Sequence, residues 1–125
     1  MASTGLTDAG KKIMLEAFGS GAVEVRLYDD DNGTPDELSG GDYEPQSIEW
    51  SYDSTDVILV ADEIEDGVVA EFSVPACTVY YVGFLSSTGV LLALYAFASE
   101  DRETFQNPGV FQLTTASLEL IDPVS

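Results

Sequence analysis

From Val23 onward the chain alternates. In AVEVRLY (22–28), Val23, Val25 and Leu27 fall on one side and Glu24 and Arg26 on the other. In QSIEWSY (46–52), Ile48, Trp50 and Tyr52 point inward and Ser47, Glu49 and Ser51 outward. A period of two is the signature of a half-buried strand, because successive side chains leave opposite faces of the pleat. Further strands are expected at DVILVA, VVAEFSV, TVYYVGFL, VLLALYAF, GVFQLT and SLELI. Turn chemistry separates these segments at Gly40-Gly41, Asp66-Gly67, Ser86 to Gly89 and Asn107-Pro108-Gly109. Only LTDAGKKIMLEAF has the helical period, with Leu6, Ile13, Met14, Ala17 and Phe18 on one face. Thr7 is its N-cap, Asp8 sits in the first turn and Gly19 supplies a stop, which predicts a helix over 7–18. One helix followed by many short strands predicts a mainly all-β fold: a single jelly-roll-like β-sandwich over 1–125, with the helix packed on one edge or end.

At 125 residues the chain is long enough for one sizeable core and too short for two. Its hydrophobic fraction of 45% argues against disorder despite the charge. That charge is one-sided: 23 acidic against 4 basic residues, a net −19. Nucleic acid is excluded as a partner, since almost nothing is present to replace phosphate counterions. Anionic membrane surfaces would repel such a chain, and GVLLALYAFA is too short to span a bilayer. The Lys11-Lys12 pair is not followed by a long apolar stretch, so no signal peptide is expected and the protein should be soluble and made in a cytoplasm. Poverty in lysine with many carboxylates suggests a halophilic source. Spread evenly over about 6,500 Å² of surface, the acids would stand roughly 17 Å apart, beyond a Debye length of about 8 Å. Only local clusters therefore demand strong salt.

The densest cluster is LYDDDNGTPDELSGGDYEPQ (27–46). A calcium loop of the EF-hand type needs oxygens at alternate positions before its glycine. Counting back from Gly33 gives Asn32, Asp30 and then Tyr28, where an acid is required, and the closing glutamate position is Ser39. The EF-hand reading fails. A looser surface site for calcium or another cation, built from Asp29, Asp31 and Asp36, is the alternative to a plain hydrated connection between two strands, and the hydrated connection is the expectation.

Catalytic patterns are missing. There is no histidine, so Cys77 has no Cys-His base and is expected to act as a small buried apolar residue. As the lone cysteine it forms no intrachain disulfide. No G-x-S-x-G elbow or phosphate-cradling glycine spacing occurs. Acids are so abundant that any chosen carboxylate pair is uninformative. Neither catalysis nor a cofactor is expected. Trp50, Phe72, Phe84, Phe97, Phe105 and Phe111 read as core, and the adjacent Tyr80 and Tyr81 should face opposite sides of a strand. VGFLSSTGVLLALYAFA offers apolar side chains to both faces, so it is expected to lie against the core on one side and against a neighbouring subunit on the other, with Tyr80, Val82, Phe84, Leu92 and Leu94 as candidate interface residues.

A resemblance follows from five stretches: LTDAGKKIMLEAF, VEVRLYDDD, LSGGDYEPQSIEW, FSVPACTVYYVGFLSSTG and ETFQNPGVFQLTTASLEL. Together they resemble small virion proteins of tailed phages and haloarchaeal tailed viruses, of the minor-tail, tail-fibre-like or capsid-decoration kind. The shared plan is an opening helix, a strand running into an acidic-Gly loop, a GG-Y-x-x-Q turn, a V-G-aromatic strand and an F-x-N-x-G turn. The chain departs from such proteins in its acidity. The resemblance implies a β-sandwich without catalysis on the outer surface of a virion, as a capsid decoration, turret or tail-attached module adapted to high salt. Its implied partners are copies of itself in a homo-oligomer and the major capsid or tail proteins beneath. The alternative is a receptor- or glycan-recognising module of a viral tail tip, which would show exposed aromatics with convergent polar groups. The structural reading would show an apolar patch facing like subunits.

Overall fold

The computed structural model describes residues 7–120. One helix, α1 (Asp8–Gly21), precedes twelve strands. They are β1 (Glu24–Asp31), β2 (Thr34–Glu37), β3 (Gln46–Ser47), β4 (Trp50–Asp53), β5 (Ile58–Ala61) and β6 (Ala70–Val74). The second half supplies β7 (Cys77–Val79), β8 (Tyr81–Leu85), β9 (Leu91–Ala96), β10 (Glu103–Phe105), β11 (Gly109–Leu113) and β12 (Ser117–Glu119). The chain is all-β with one helix, and every strand pair is antiparallel.

The pairings nest. β8 pairs with β9, β7 with β10, β6 with β11 and β5 with β12. Residues 58–119 are thus one long antiparallel ribbon, bent back on itself at corners, which is how a jelly-roll-like sandwich is wound. The corners carry residues that cannot continue a ladder. Pro75 separates β6 from β7, and Pro108 lies between β10 and β11. Outside the ribbon, β1 pairs with β8 on one edge and with β2 and β3 on the other. One sheet therefore runs β2-β1-β8-β9.

Two segments read as single strands are each divided between sheets. QSIEWSY breaks at Ile48-Glu49, so that β3 joins β1 while β4 joins β5. TVYYVGFL breaks at Tyr80, whose N–H donates to the Tyr28 carbonyl while its own carbonyl accepts from Phe97 N–H. The break also undoes the expectation that Tyr80 and Tyr81 face opposite sides: their rings lie 6.2 Å apart and both are half-buried. Alternation alone does not reveal such breaks, because the inward-outward rhythm survives when a strand changes partner at a corner.

The core is built from the inward residues of both layers, among them Val25, Leu27, Phe72, Val79, Val82 and Phe111. Trp50 and Phe84 meet edge-on at 5.3 Å, and Trp50 meets Phe18 at 5.8 Å. The Trp50 indole N–H donates to the Ala22 carbonyl at 2.9 Å, fastening the end of α1 to β4. Tyr43 stacks on Phe72 at 6.3 Å. Its hydroxyl donates to Glu37 and accepts from Leu27 N–H, and burial, with Glu37 adding, raises its pKa above the ordinary phenol value.

The helix starts where expected, with the Thr7 hydroxyl accepting from Gly10 N–H. Its buried face and its end differ from expectation. Leu15 is fully buried and Phe18, Gly19 and Ala22 continue that stripe, whereas Ile13 is 70% exposed, Met14 and Ala17 are exposed, and Leu6 lies outside the described residues. Gly19 does not stop the helix, which runs to Gly21. It marks a close approach instead: a Cβ there would stand 3.2 Å from both Leu59 Cδ2 and Trp50 Cβ. Leu15→Ala should cost about 2–5 kcal/mol in denaturant unfolding, while Ile13→Ala should stay within about 0.5 kcal/mol. The reverse order would restore the Ile13 face as the buried one.

Candidate interaction surface

The acid-rich stretch is a hairpin and not a loose connection. Asn32 and Gly33 both have positive φ, at 52° and 87°, as a two-residue hairpin turn requires. The acids before and after them lie in β1 and β2, in the register Asp29↔Asp36, Asp30↔Pro35 and Asp31↔Thr34. Asn-Gly between strands was the available signal, and the run of aspartates obscured it. Within this hairpin Asp30 is tied down, accepting from Gly33 N–H at 3.2 Å and from the Tyr81 hydroxyl at 2.7 Å. That bond to Asp30 is the main reason the Tyr81 pKa is raised. Arg26 lies between Glu24 and Glu37 at the base of the hairpin.

Asp29, Asp31 and Asp36, the candidate cation ligands, do come to one face. Asp29 and Asp36 are direct cross-strand partners, and Asp31 is two residues along β1. Among the described residues, however, no group of three or more acidic, histidine or cysteine side chains is disposed to hold a metal ion. Cys77 is half-buried and packs against the core, and burial, with Asp29 adding, pushes its thiol pKa up, away from the thiolate a nucleophile needs.

The five candidate interface residues separate. Val82 is 2% exposed and Phe84 is 8% exposed, so both belong to the chain's own core and are not available as an outer contact. The reason is that β8 is a central strand, hydrogen-bonded to β1 and β9 along its two edges, with Val82 and Phe84 on its inner face. Tyr80 is half-buried beneath Arg102, whose guanidinium lies 4.6 Å from the ring centre. Leu92 and Leu94 are 42% and 41% exposed, and Val90, Leu91 and Tyr95 are exposed beside them. These five form an apolar run along β9 and the turn before it, with Leu94 beside Gly83 on the outer face and Tyr95 beside Val82 on the inner face. Among the described strands β9 pairs only with β8, so its other edge is open. β8 is thus a central strand of its sheet and β9 an edge strand.

On the inner side of β9 lies a half-open groove of about 600 Å³. Its floor includes Phe84, Tyr95, Phe97, Phe111 and Leu113. Its rim is polar, with Asp101, Glu103, Thr114, Thr115 and Ser117, and no lining residue is basic. A smaller cavity of about 150 Å³ shares Phe84, Tyr95 and Ser117 with it and continues toward Phe18 and Trp50. Asp101, Glu103 and the Thr114–Ser117 corner escaped the sequence reading, because only the folded ribbon brings them opposite Tyr95.

The electrostatic layout is one of segregation. Residues 72–99 contain no charged side chain. In the sheet β2-β1-β8-β9, the acidic hairpin holds one edge and the apolar strip holds the other. No described helix is long and apolar enough to cross a membrane. Compared with known proteins, the chain matches no family model, no curated protein and no solved structure, so the tailed-virus resemblance rests on the quoted motifs alone.

Asp29 and Asp36 set two like charges directly opposite each other across the hairpin. Asp36→Asn should therefore stabilise the fold by about 0.2–1 kcal/mol at low salt. The gain should shrink in molar salt, where the Debye length falls to about 3 Å. Thermal melts of parent and variant across a salt series check this, and a gain independent of salt would exclude charge repulsion as its cause.

Proposed function

We propose that this protein is a non-enzymatic structural subunit of the outer surface of a tailed-virus particle, adapted to strong salt. It would be held to copies of itself and to capsid or tail proteins beneath through the strip Val90–Tyr95. The observation that carries the reading is the apolar strip on an open sheet edge of a chain with net charge −19. Such a subunit repels its like over most of its surface, so any stable contact must concentrate uncharged area, and β9 supplies it far from the acidic hairpin. Salt screens what repulsion remains. The sequence motifs supply the virion setting.

The alternative, a receptor- or glycan-recognising tip, has the aromatic groove in its favour. Its rings are not laid out as sugar platforms, however. Tyr95 meets Phe97 at 83° and Phe97 meets Phe111 at 64°, so neither pair presents a common flat face, and Phe111 is buried.

Leu92→Asp combined with Leu94→Asp should reduce oligomer mass in high salt and strip the protein from purified particles, without lowering the melting temperature by more than a few degrees. Mass measurement and particle sedimentation read this out. A parent protein that is monomeric in molar salt and absent from particles would end the structural reading.

A further inference from the structure

Among the described strands β9 is an open edge with little of the usual protection. Sheet edges are commonly blunted by lysine, proline or an inward charge, and Leu91–Ala96 contains none of these. A register shift against Phe84/Leu85 disturbs only the start of the strand, leaving Ala93–Ala96 in regular register with β8. Directly beside this regular stretch runs the groove, and the smaller cavity extends it in the other direction, since both are lined by Tyr95. Ala93, Leu94, Tyr95 and Phe97 line the trough, a stretch of about five residues or about 17 Å at strand rise. A strand laid along the open edge would turn alternate side chains into it.

The charge at one end of the trough selects the occupant. Asp101 and Glu103 both line the groove. Arg102, between them in sequence, turns the other way and lies over Tyr80. The rim is therefore acidic with no neutralising partner among the lining residues. A second copy of this chain is a poor occupant. Among its described strands only β1 carries a basic residue, Arg26, and β1 is already paired on both edges.

We propose that the trough beside β9 receives an extended segment of a different protein, apolar at alternate positions and carrying a lysine or arginine. This segment pairs with the open edge at Ala93–Ala96 and sets its basic residue against Asp101 and Glu103. Main-chain pairing then supplies binding, and the groove and acidic rim supply selection. The inference rests on β9 being a contact strip, and it names which of the two kinds of partner takes the edge.

The test uses the full chain and a fluorescein-labelled eight-residue peptide in which threonine and valine alternate between two terminal lysines. Fluorescence polarisation should show saturable binding at about 0.15 M salt, where charge still acts over about 8 Å. The same peptide with terminal glutamates should bind at least tenfold more weakly. Methylating alternate backbone amides of the lysine peptide should cost at least tenfold, since it removes edge pairing. Asp101→Asn with Glu103→Gln, both at exposed positions, should shrink the lysine-over-glutamate preference to threefold or less while leaving the melting temperature and oligomer mass unchanged. Equal binding of the two peptides, indifference to amide methylation, or no binding of either would overturn the proposal. So would a dimer with protected β9 amides that excludes the lysine peptide, which would give the edge to a second copy. Loss of peptide binding with oligomer mass and particle association intact defeats this inference alone. Loss of those two with peptide binding intact defeats only the structural reading.

Discussion

The pairing of β1 with β8 is the contact on which the rest of the structure depends. It sets Val25 opposite Phe84 and Leu27 opposite Val82, joining residues nearly sixty apart in sequence. It ties the helix and acidic hairpin to the folded ribbon, together with the β4–β5 pairing, the Tyr43–Phe72 stack and the Tyr81–Asp30 hydrogen bond. With it, β8 is enclosed on both edges and both faces. Its outer face shows how closely: a Cβ on Gly83 would stand 2.7 Å from Tyr28 Cε1 and 2.9 Å from Leu91 Cδ1, so only glycine leaves room for both side chains. The same glycine lets Tyr28 cover the strand, and burial there raises the Tyr28 pKa.

The enclosure of β8 also explains why β9 is exposed. Among the described strands β9, added outside β8, is the last in its sheet. Helix α1 packs mainly on β4 and β5 and reaches β9 at its end, where a Cβ on Gly21 would stand 3.9 Å from Leu92 Cδ1. The chain thus ends one sheet in an uncharged border and begins it in a charged one.

Three of the four basic side chains have identified partners within the molecule. Arg26 bridges Glu24 and Glu37, Lys12 lies 5.7 Å from the Tyr52 ring centre, and Arg102 covers Tyr80. Arg102 matters most for the surface, because it lies over Tyr80 while its neighbours Asp101 and Glu103 line the trough.

By itself the sequence determined the class of fold, the existence of one helix, its Thr7 cap and the places where turns fall. Each of these is written locally, in the period of the apolar residues or in glycine, proline and asparagine at fixed offsets. It also determined that residues 72–99 would carry no charge. The helix face was misread because Ile13 and Met14 are apolar yet face solvent, while the stripe that packs includes a glycine, Gly19, whose contribution is the absence of a side chain. The acidic strands were read as a connection because aspartate is rare in strands, although Asn32-Gly33 encoded the hairpin. Only the tertiary structure decided which of two adjacent apolar strands, β8 or β9, would be central, because strand order depends on pairings between distant segments that no local pattern records. For the same reason only the fold could bring Asp101, Glu103 and Ser117 to the border of Tyr95: they belong to the far limb of a ribbon, and the ribbon's corners fix where that limb comes to rest.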